Sequence, residues 1–173
     1  VIAQDISLVI GASVHVELFQ TVGEKALMPS EFAGISLDDL AVSIDDYCYR
    51  PQYLHALHHG NNGERLQVSE QLVSHLFRSN CPVTGQPDWA SIRISYQGFP
   101  IDRESLLMYL ISFRRHQEFH EQCVERVFMD LWNHCKPATL CVEAFFLRRG
   151  GLDINPVRVR GQTLPPPVRL PRQ

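Results

Sequence analysis

The sequence predicts an α+β layer over residues 64–147, an antiparallel sheet with two helices packed on one face. Three observations carry this expectation. Ala90, Ile92, Ile94 and Tyr96 alternate with Ser91, Arg93, Ser95 and Gln97, the period of a strand with one buried face. Phe119, Cys123, Val127 and Leu131 fall four apart, the apolar stripe of a helix. The elements run strand, strand, helix, helix, strand, whereas a parallel α/β fold needs strands and helices to alternate.

Each element has its own signal. Residues 1–10 read as the end of an element, with Gly11 as a helix C-cap. Val14, Val16 and Leu18 alternate with His15 and Glu17, which predicts a strand over 13–20. From Thr21 to Gly63, Pro29, Gly34, Pro51, Gly60 and Gly63 break the pattern, and Asn61-Asn62-Gly63 reads as a turn. Leu66, Val68, Leu72, Ser74 and Leu76 share one parity, predicting a long strand with a kink. Two prolines and a glycine make Ser79–Asp88 a loop. The Trp89–Gln97 strand ends at Gly98 and Pro100. Asp102 is an N-cap for a helix carrying Leu106, Leu107, Leu110 and Ile111. A second helix follows the 114–118 connection and stops at Pro137. Leu140, Val142, Ala144 and Phe146 form the last predicted strand, and the chain beyond Arg148 reads as an irregular basic tail ending in Pro165-Pro166-Pro167.

Composition narrows the functions. The 173 residues are 45% apolar and 20% charged, as expected of a globular chain. A net charge of −3 argues against wrapping around nucleic acid. Residues 148–173 carry +5, which leaves −8 on the rest. Arg148 and Arg149 in that basic end suit a phosphate. No run of eighteen apolar residues suggests a membrane span, and no basic n-region marks a signal peptide. Five cysteines without a Cys-x-x-Cys pair fit a reduced, cytoplasmic setting better than a disulfide scaffold or a zinc ribbon. Residue 1 is Val, so the chain is expected to begin inside a longer protein. No Gly-x-Gly-x-x-Gly or phosphate loop is present, so any nucleotide is held another way.

Several side chains could carry chemistry. Cys123, Cys135 and Cys141 fall in regular elements and read as small buried hydrophobes. Cys81 opens a loop, where a thiolate can be presented, and Asp88 closes the same loop. Glu121 reads either as a first-turn acid facing the helix dipole or as a two-oxygen acceptor for the N–H edge of a guanine-like base, with His120 beside it for a ring carbonyl. His116 and His120 share a helix face with Glu121 and Cys123 nearby, but the spacing matches no zinc signature, so no metal is expected.

Three blocks carry a resemblance. Ser79-Asn80-Cys81-Pro82-Val83-Thr84-x-Gln86-Pro87-Asp88-Trp89 is the first. Ser112-Phe113-Arg114-x-His116-x-x-Phe119-His120-Glu121-x-Cys123 is the second. Arg148-Arg149-Gly150-Gly151-Leu152-Asp153-Ile154-Asn155-Pro156 is the third. In this order they resemble the NADPH-dependent 7-cyano-7-deazaguanine reductases, with the similarity running from about residue 65 to 160. The resemblance implies the tunnelling fold shared with GTP cyclohydrolase I and a nitrile reductase of queuosine biosynthesis. It implies Cys81 as the nucleophile forming a thioimide and Asp88 as the proton donor. His120 and Glu121 would bind the deazaguanine, and Arg149 and Gly150 would contact NADPH. A homo-oligomer is implied, a dimer for the two-module type, with no direct nucleic-acid or membrane partner.

The family's Glu-Ser-Lys-Ser cofactor motif has no counterpart here. Its place in single-module members reads Asp102-Arg103-Glu104-Ser105-Leu106-Leu107-Met108-Tyr109. In two-module members the motif lies in an N-terminal half. The expected organisation is therefore a remnant of an N-terminal tunnelling-fold module over 1–22, a connecting segment over 23–63, and a C-terminal catalytic module with a basic tail over 64–173. Such a chain is expected to be an incomplete catalyst on its own. A zinc-dependent tunnelling-fold hydrolase of a pterin or purine, and a non-catalytic fragment, are the alternatives.

Overall fold

A computed structural model describes residues 1–18, 31–59 and 66–173. The elements are α1 (Ile2–Ile10), β1 (Ile35–Ser36), β2 (Val68–Asn80), β3 (Pro87–Gly98), α2 (Arg103–Ser112), α3 (His120–Cys135), β4 (Thr139–Phe146) and β5 (Val157–Arg160). They form a five-stranded sheet in the order β1-β2-β3-β4-β5. Every neighbouring pair is antiparallel except β1 and β2, which run parallel. The α+β class and the strand, strand, helix, helix, strand order over β2 to β4 are those expected from the sequence.

The core lies between the sheet and the two helices. Ala90, Ile92, Ile94 and Tyr96 of β3 point into it, as their parity predicts, together with Leu140, Val142, Ala144 and Phe146 of β4. Leu106, Leu107 and Leu110 of α2 and Cys123, Val127 and Leu131 of α3 close over them. Asp102 caps α2, its carboxylate accepting from the Ser105 N–H at 2.8 Å. α3 starts differently. Phe119, read as the first residue of the apolar stripe, is the exposed N-cap and has no side-chain acceptor, and the Gln122 amide oxygen takes the Phe119 N–H at 3.2 Å. The kink expected in β2 is a register shift between Ser74 and Phe77.

Three features depart from the sequence reading. Residues 13–18 form no strand, because no described segment supplies the ladder bonds a strand needs, although the preceding helix and its left-handed Gly11 cap are present. Residues 19–20 and the Asn61-Asn62-Gly63 turn lie outside the described residues. The basic tail holds a real strand, β5, whose Val157 and Val159 alternate with Arg158 and Arg160. Both arginines reach α3, Arg158 to Glu125 and Arg160 over the Trp132 ring at 4.1 Å. The polar face of β3 is also drier than alternation implies. Ser91 is buried, and Arg93 is paired across the sheet with Glu143 at 2.7 Å under the Phe32 ring. Residues 31–32 and the chain end cover this face, where Arg172 donates to the His75 carbonyl and Leu170 is buried.

The segment before β2 is packed rather than loose. Leu37, Leu54 and Ala56 are buried, and Tyr49 donates to Asp130 of α3 at 2.7 Å. Replacing the α2 cap tests the local reading. Asp102→Ala should cost about 1 kcal/mol and Asp102→Ser much less, read from the midpoint of urea unfolding.

Candidate active site

The loop after β2 is shorter than the sequence suggested, because both strands extend into it. Ser79 pairs with Asp88 and Asn80 with Pro87, so Cys81 to Gln86 form the whole connection. Within it the Cys81 N–H donates to the Gln86 carbonyl at 2.8 Å and the Gly85 N–H to the Cys81 carbonyl at 2.9 Å. Gly85 takes a left-handed φ of 69°, which suits glycine at this turn. The loop is anchored to the segment before α3. The Asn80 N–H donates to the His116 carbonyl at 2.8 Å, and its side-chain amide donates to the Arg114 carbonyl at 2.9 Å.

Cys81 is half-buried. Its thiol is held below the ordinary value, first by a hydrogen bond from the Thr84 side chain, then by the backbone N–H groups of Thr84 and Val83, with the Arg149 charge adding. Burial pushes the other way elsewhere, raising Cys123 to about 11, Cys135 to about 12 and Cys141 to about 11. A lowered thiol on a turn suits a nucleophile, whereas thiols raised by burial suit packing.

Asp88 shares the parity of Ala90 and Ile92 and so points into the helix layer, only 5% exposed. A buried carboxylate must be met by charge or donors. Arg149 supplies both, its Nε donating to Asp88 Oδ1 at 2.8 Å with a second guanidinium contact to the same oxygen. The third side of the site is His120, whose Nε2 lies 3.3 Å from Asp88 Oδ1. The His120 ring is buried and stacks on Phe146, with centroids 3.9 Å apart and planes within 3°. Its Nδ1 is buried without a partner. A ring carrying one proton fits best with it on Nε2, the nitrogen nearer Asp88, because a bare acceptor at Nδ1 costs less here than an unmet N–H.

The structure thus brings Cys81, Asp88, His120 and Arg149 to one end of the sheet. Glu121 stands apart. It is exposed on the first turn of α3, beside a His120 that faces inward. Gly150 lies in an exposed turn at φ 56°, with open space where a Cβ would project. Gln86, Pro87, Asp88, Leu147, Arg148, Arg149 and Gly150 line a cleft of about 370 Å³. Arg148 is paired with Asp153 at 3.0 Å. Two residues escaped the sequence reading. Thr84 helps hold the thiol below its ordinary value, and the Gln86 side-chain oxygen accepts from Arg149 at 3.1 Å, which ties the Cys81 loop to the arginine. Both sit inside the first block, so the signal was their position on a short turn between Cys81 and Asp88. Among the described residues no group of three or more His, Cys, Asp or Glu side chains comes together to hold a metal ion. Nor is any described helix long and apolar enough to cross a membrane.

A lowered thiol at the same end of the sheet as a buried carboxylate in contact with a histidine is an arrangement that can serve covalent capture and proton delivery. A family described as QueF-like protein matches residues 87–164. The protein named NADPH-dependent 7-cyano-7-deazaguanine reductase from Albidiferax ferrireducens is 58% identical over 144 residues, 83% of this chain and 48% of that protein. The one so named from Paracidovorax citrulli is 53% identical over 162 residues, 88% of this chain and 56% of its own length. The one from Delftia acidovorans is 54% identical over 147 residues, 84% and 50%. These relatives align over most of this chain. The chain spans about half the length of the curated relatives it matches. Among solved structures, the apo form of an archaeosine synthase QueF-Like covers 58% of this chain and 99% of its own, at 16% identity and a TM-score of 0.49.

The contrast between the thiols is directly measurable. With iodoacetamide near pH 7.5, peptide mass spectrometry should find Cys81 modified well before Cys123, Cys135 and Cys141, which should react only on unfolding. Equal labelling of Cys81 and Cys123 in the native chain would contradict the electrostatics described.

Proposed function

We propose that this chain carries the covalent-capture site of an NADPH-dependent reductase that converts 7-cyano-7-deazaguanine to the aminomethyl base, in the pathway to queuosine. The observation that carries the proposal is the lowered thiol of Cys81 on a loop whose other end is the buried Asp88. The names of the relatives support the substrate and the cofactor.

The chemistry suits these groups. A nitrile carbon is a modest electrophile, and capture by sulfur divides one hard reduction into easier steps. The Cys81 thiolate attacks the nitrile carbon and a C–S bond forms. One π pair moves to the nitrile nitrogen, which takes a proton to give a thioimide. Asp88 takes up the proton that the Cys81 thiol loses on becoming the thiolate and passes it to the nitrile nitrogen, which leaves the Asp88 carboxylate facing Arg149 and His120 Nε2 again. Arg149 holds Asp88 at the sheet end, so the acid stays in place while its proton moves.

Arg149 and Gly150 fit an edge contact with NADPH. Arg149 is a third exposed at the rim of the cleft, and the space beside Gly150 is open. When bound, NADPH supplies the hydrides, two molecules for each nitrile. Arg148 and Arg149 each already face a carboxylate, so further charge for the cofactor phosphates falls to residues outside this pair. Glu121 offers its two oxygens to the base edge from the helix start. We read residues 64–173 as the catalytic module, 1–22 as part of a second module and 23–63 as the connection. The protein acts in the cytoplasm as a homo-oligomer.

Mixing the chain with the nitrile base should add one base mass at Cys81, found by intact-mass and peptide analysis and absent from Cys81→Ala. An adduct that persists in Cys81→Ala refutes the nucleophile. Asp88 and Glu121 should separate. Glu121→Ala should weaken base binding by roughly 1–3 kcal/mol in calorimetry, because a recognition acceptor is lost. Asp88→Asn should bind the base nearly as well, yet form the adduct far more slowly. Equal losses of affinity in the two variants would contradict the division.

A further inference from the structure

Gln173 lies beyond the family match, which ends at residue 164, and the resemblance gives it no role. We infer that Gln173 is a positioning residue for the capture site, its side-chain amide clasping both ends of the 147–155 turn and so keeping Arg149 on Asp88. The inference deepens the proposed function and rests on it for the effect on capture. The effect on Arg149 is testable without the nitrile.

The turn needs a hold from outside. It leaves β4 after Phe146 and returns to β5 at Val157. No side chain from Leu147 to Asn155 is buried, and Leu152 is 70% exposed. Gly150 and Gly151 take left-handed φ values of 56° and 83°, with open space where a Cβ would project. Arg149 and Leu152 exchange backbone bonds at 3.0 and 2.9 Å, but these tie the tip only to itself. A segment without apolar anchors is placed by the bonds at its base. Two of those are backbone bonds. The Leu147 N–H donates to the Trp89 carbonyl at 3.0 Å, and the Ala144 N–H donates to the Pro156 carbonyl at 3.1 Å.

Gln173 adds the contact that joins one end of the turn to the other. Its Nε2 carries two hydrogens and meets two acceptors. They are the Phe146 carbonyl at 3.3 Å and Asn155 Oδ1 at 2.6 Å. The amide is itself held in place. Its Oε1 accepts from the Leu170 N–H at 3.1 Å, and the Gln173 N–H donates to the Leu170 carbonyl at 3.1 Å. Leu170 is 3% exposed, and Arg172 donates to the His75 carbonyl of β2 at 2.8 Å. The clasp is therefore fixed to the sheet and not only to the turn it closes. Phe146 is also the ring beneath His120. One amide thus touches the base of the turn carrying Arg149 and the residue under His120, the two partners of Asp88. An acid that must meet a bound substrate gains from partners held at fixed places.

Phenylglyoxal labelling, read by peptide mass spectrometry, reports the freedom of the Arg149 guanidinium. Arg93, paired with Glu143 across the sheet, is the internal control. Gln173→Ala should label at Arg149 roughly threefold to tenfold faster than wild type, the effect of one or two lost hydrogen bonds. Asn155→Ala should fall between the two, and Asn155→Asp, which keeps the acceptor, should stay with wild type. The double variant of Gln173→Ala and Asn155→Ala should match Gln173→Ala alone, because both changes remove one shared contact. Arg93 should label alike in all five proteins. Arg149 labelling in Gln173→Ala that superimposes on wild type would overturn the inference, and so would a double variant in which the two effects multiply. If Gln173→Ala melts early, the Asn155→Ala and Asn155→Asp pair decides on the same criteria. With the nitrile base, Gln173→Ala should form the Cys81 adduct about threefold to tenfold more slowly while calorimetry finds the base affinity unchanged. An adduct rate equal to wild type would overturn the effect on capture. If Arg149 is freed as expected but no adduct forms on wild type, the clasp stands and the proposed substrate falls.

Discussion

The site depends on one buried carboxylate. Asp88 lies at the end of β3 with its side chain turned into the helix layer, where an unpaired charge would cost several kcal/mol. Arg149 and His120 meet it from two sides, and each comes from a different part of the chain. Arg149 follows β4, whose register against β3 sets Ala90 opposite Phe146 and carries the next residues past Asp88. His120 opens α3 and is held flat on Phe146. Sheet register, helix position and the post-β4 turn are therefore coupled through one oxygen, Oδ1 of Asp88. A shift of β4 by one residue would turn Phe146 to the other face and remove the platform under His120.

A second polar network fixes the segment on which the Cys81 loop hangs. Tyr49 and Tyr109 both donate to Asp130 Oδ2, at 2.7 and 2.5 Å. Arg126 lies over the Tyr49 ring and pairs with Glu118, which also contacts His116 at 2.8 Å. Those pairs hold Glu118 below the usual carboxylate range, the Arg126 bond most of all. The His116 carbonyl in turn receives the Asn80 N–H immediately before Cys81. Residues 47–50 thus brace the approach to α3 through Tyr49, and the brace passes by backbone bonds to the residue before Cys81. This explains why a stretch with weak periodicity is well packed. It packs apolar side chains such as Leu37, Leu54 and Tyr49 on the core and also satisfies polar groups such as Asp130 of α3.

Much of this was legible in the sequence where period and parity carry the information. The alternation of 89–97, the stripe of α3 and the Asp102 cap each follow from local chemistry. Parity also held a message that local reading passes over. Asp88 stands two residues before Ala90, so a strand extended by two residues turns it inward. The Arg149–Asp88 pair spans 61 residues and exists only through the β3–β4 register, which no local pattern specifies. β5 was hidden for another reason. Arginine is a poor marker of burial, and in Val157–Arg160 the two arginines face α3, where Glu125 and Trp132 receive them. The failed strand over 13–18 shows the converse, since alternation without a neighbouring strand has nowhere to place its backbone bonds.

The start of α3 shows how recognition and chemistry can sit next to each other without interfering. Consecutive helical residues point about 100° apart. His120 therefore turns into the sheet end to reach Asp88, while Glu121 turns out to solvent. If the two worked on one flat substrate, His120 would serve the atoms that change and Glu121 the edge that stays constant. The dipole of α3 favours a carboxylate at Glu121, which keeps both oxygens available as acceptors. His120 makes no such use of the helix end, because its ring is stacked on Phe146 with Nε2 beside Asp88. The difference between the neighbours is thus set by what lies beneath each of them. The aromatic platform holds one rigidly beside Asp88, and exposure leaves the other free to turn.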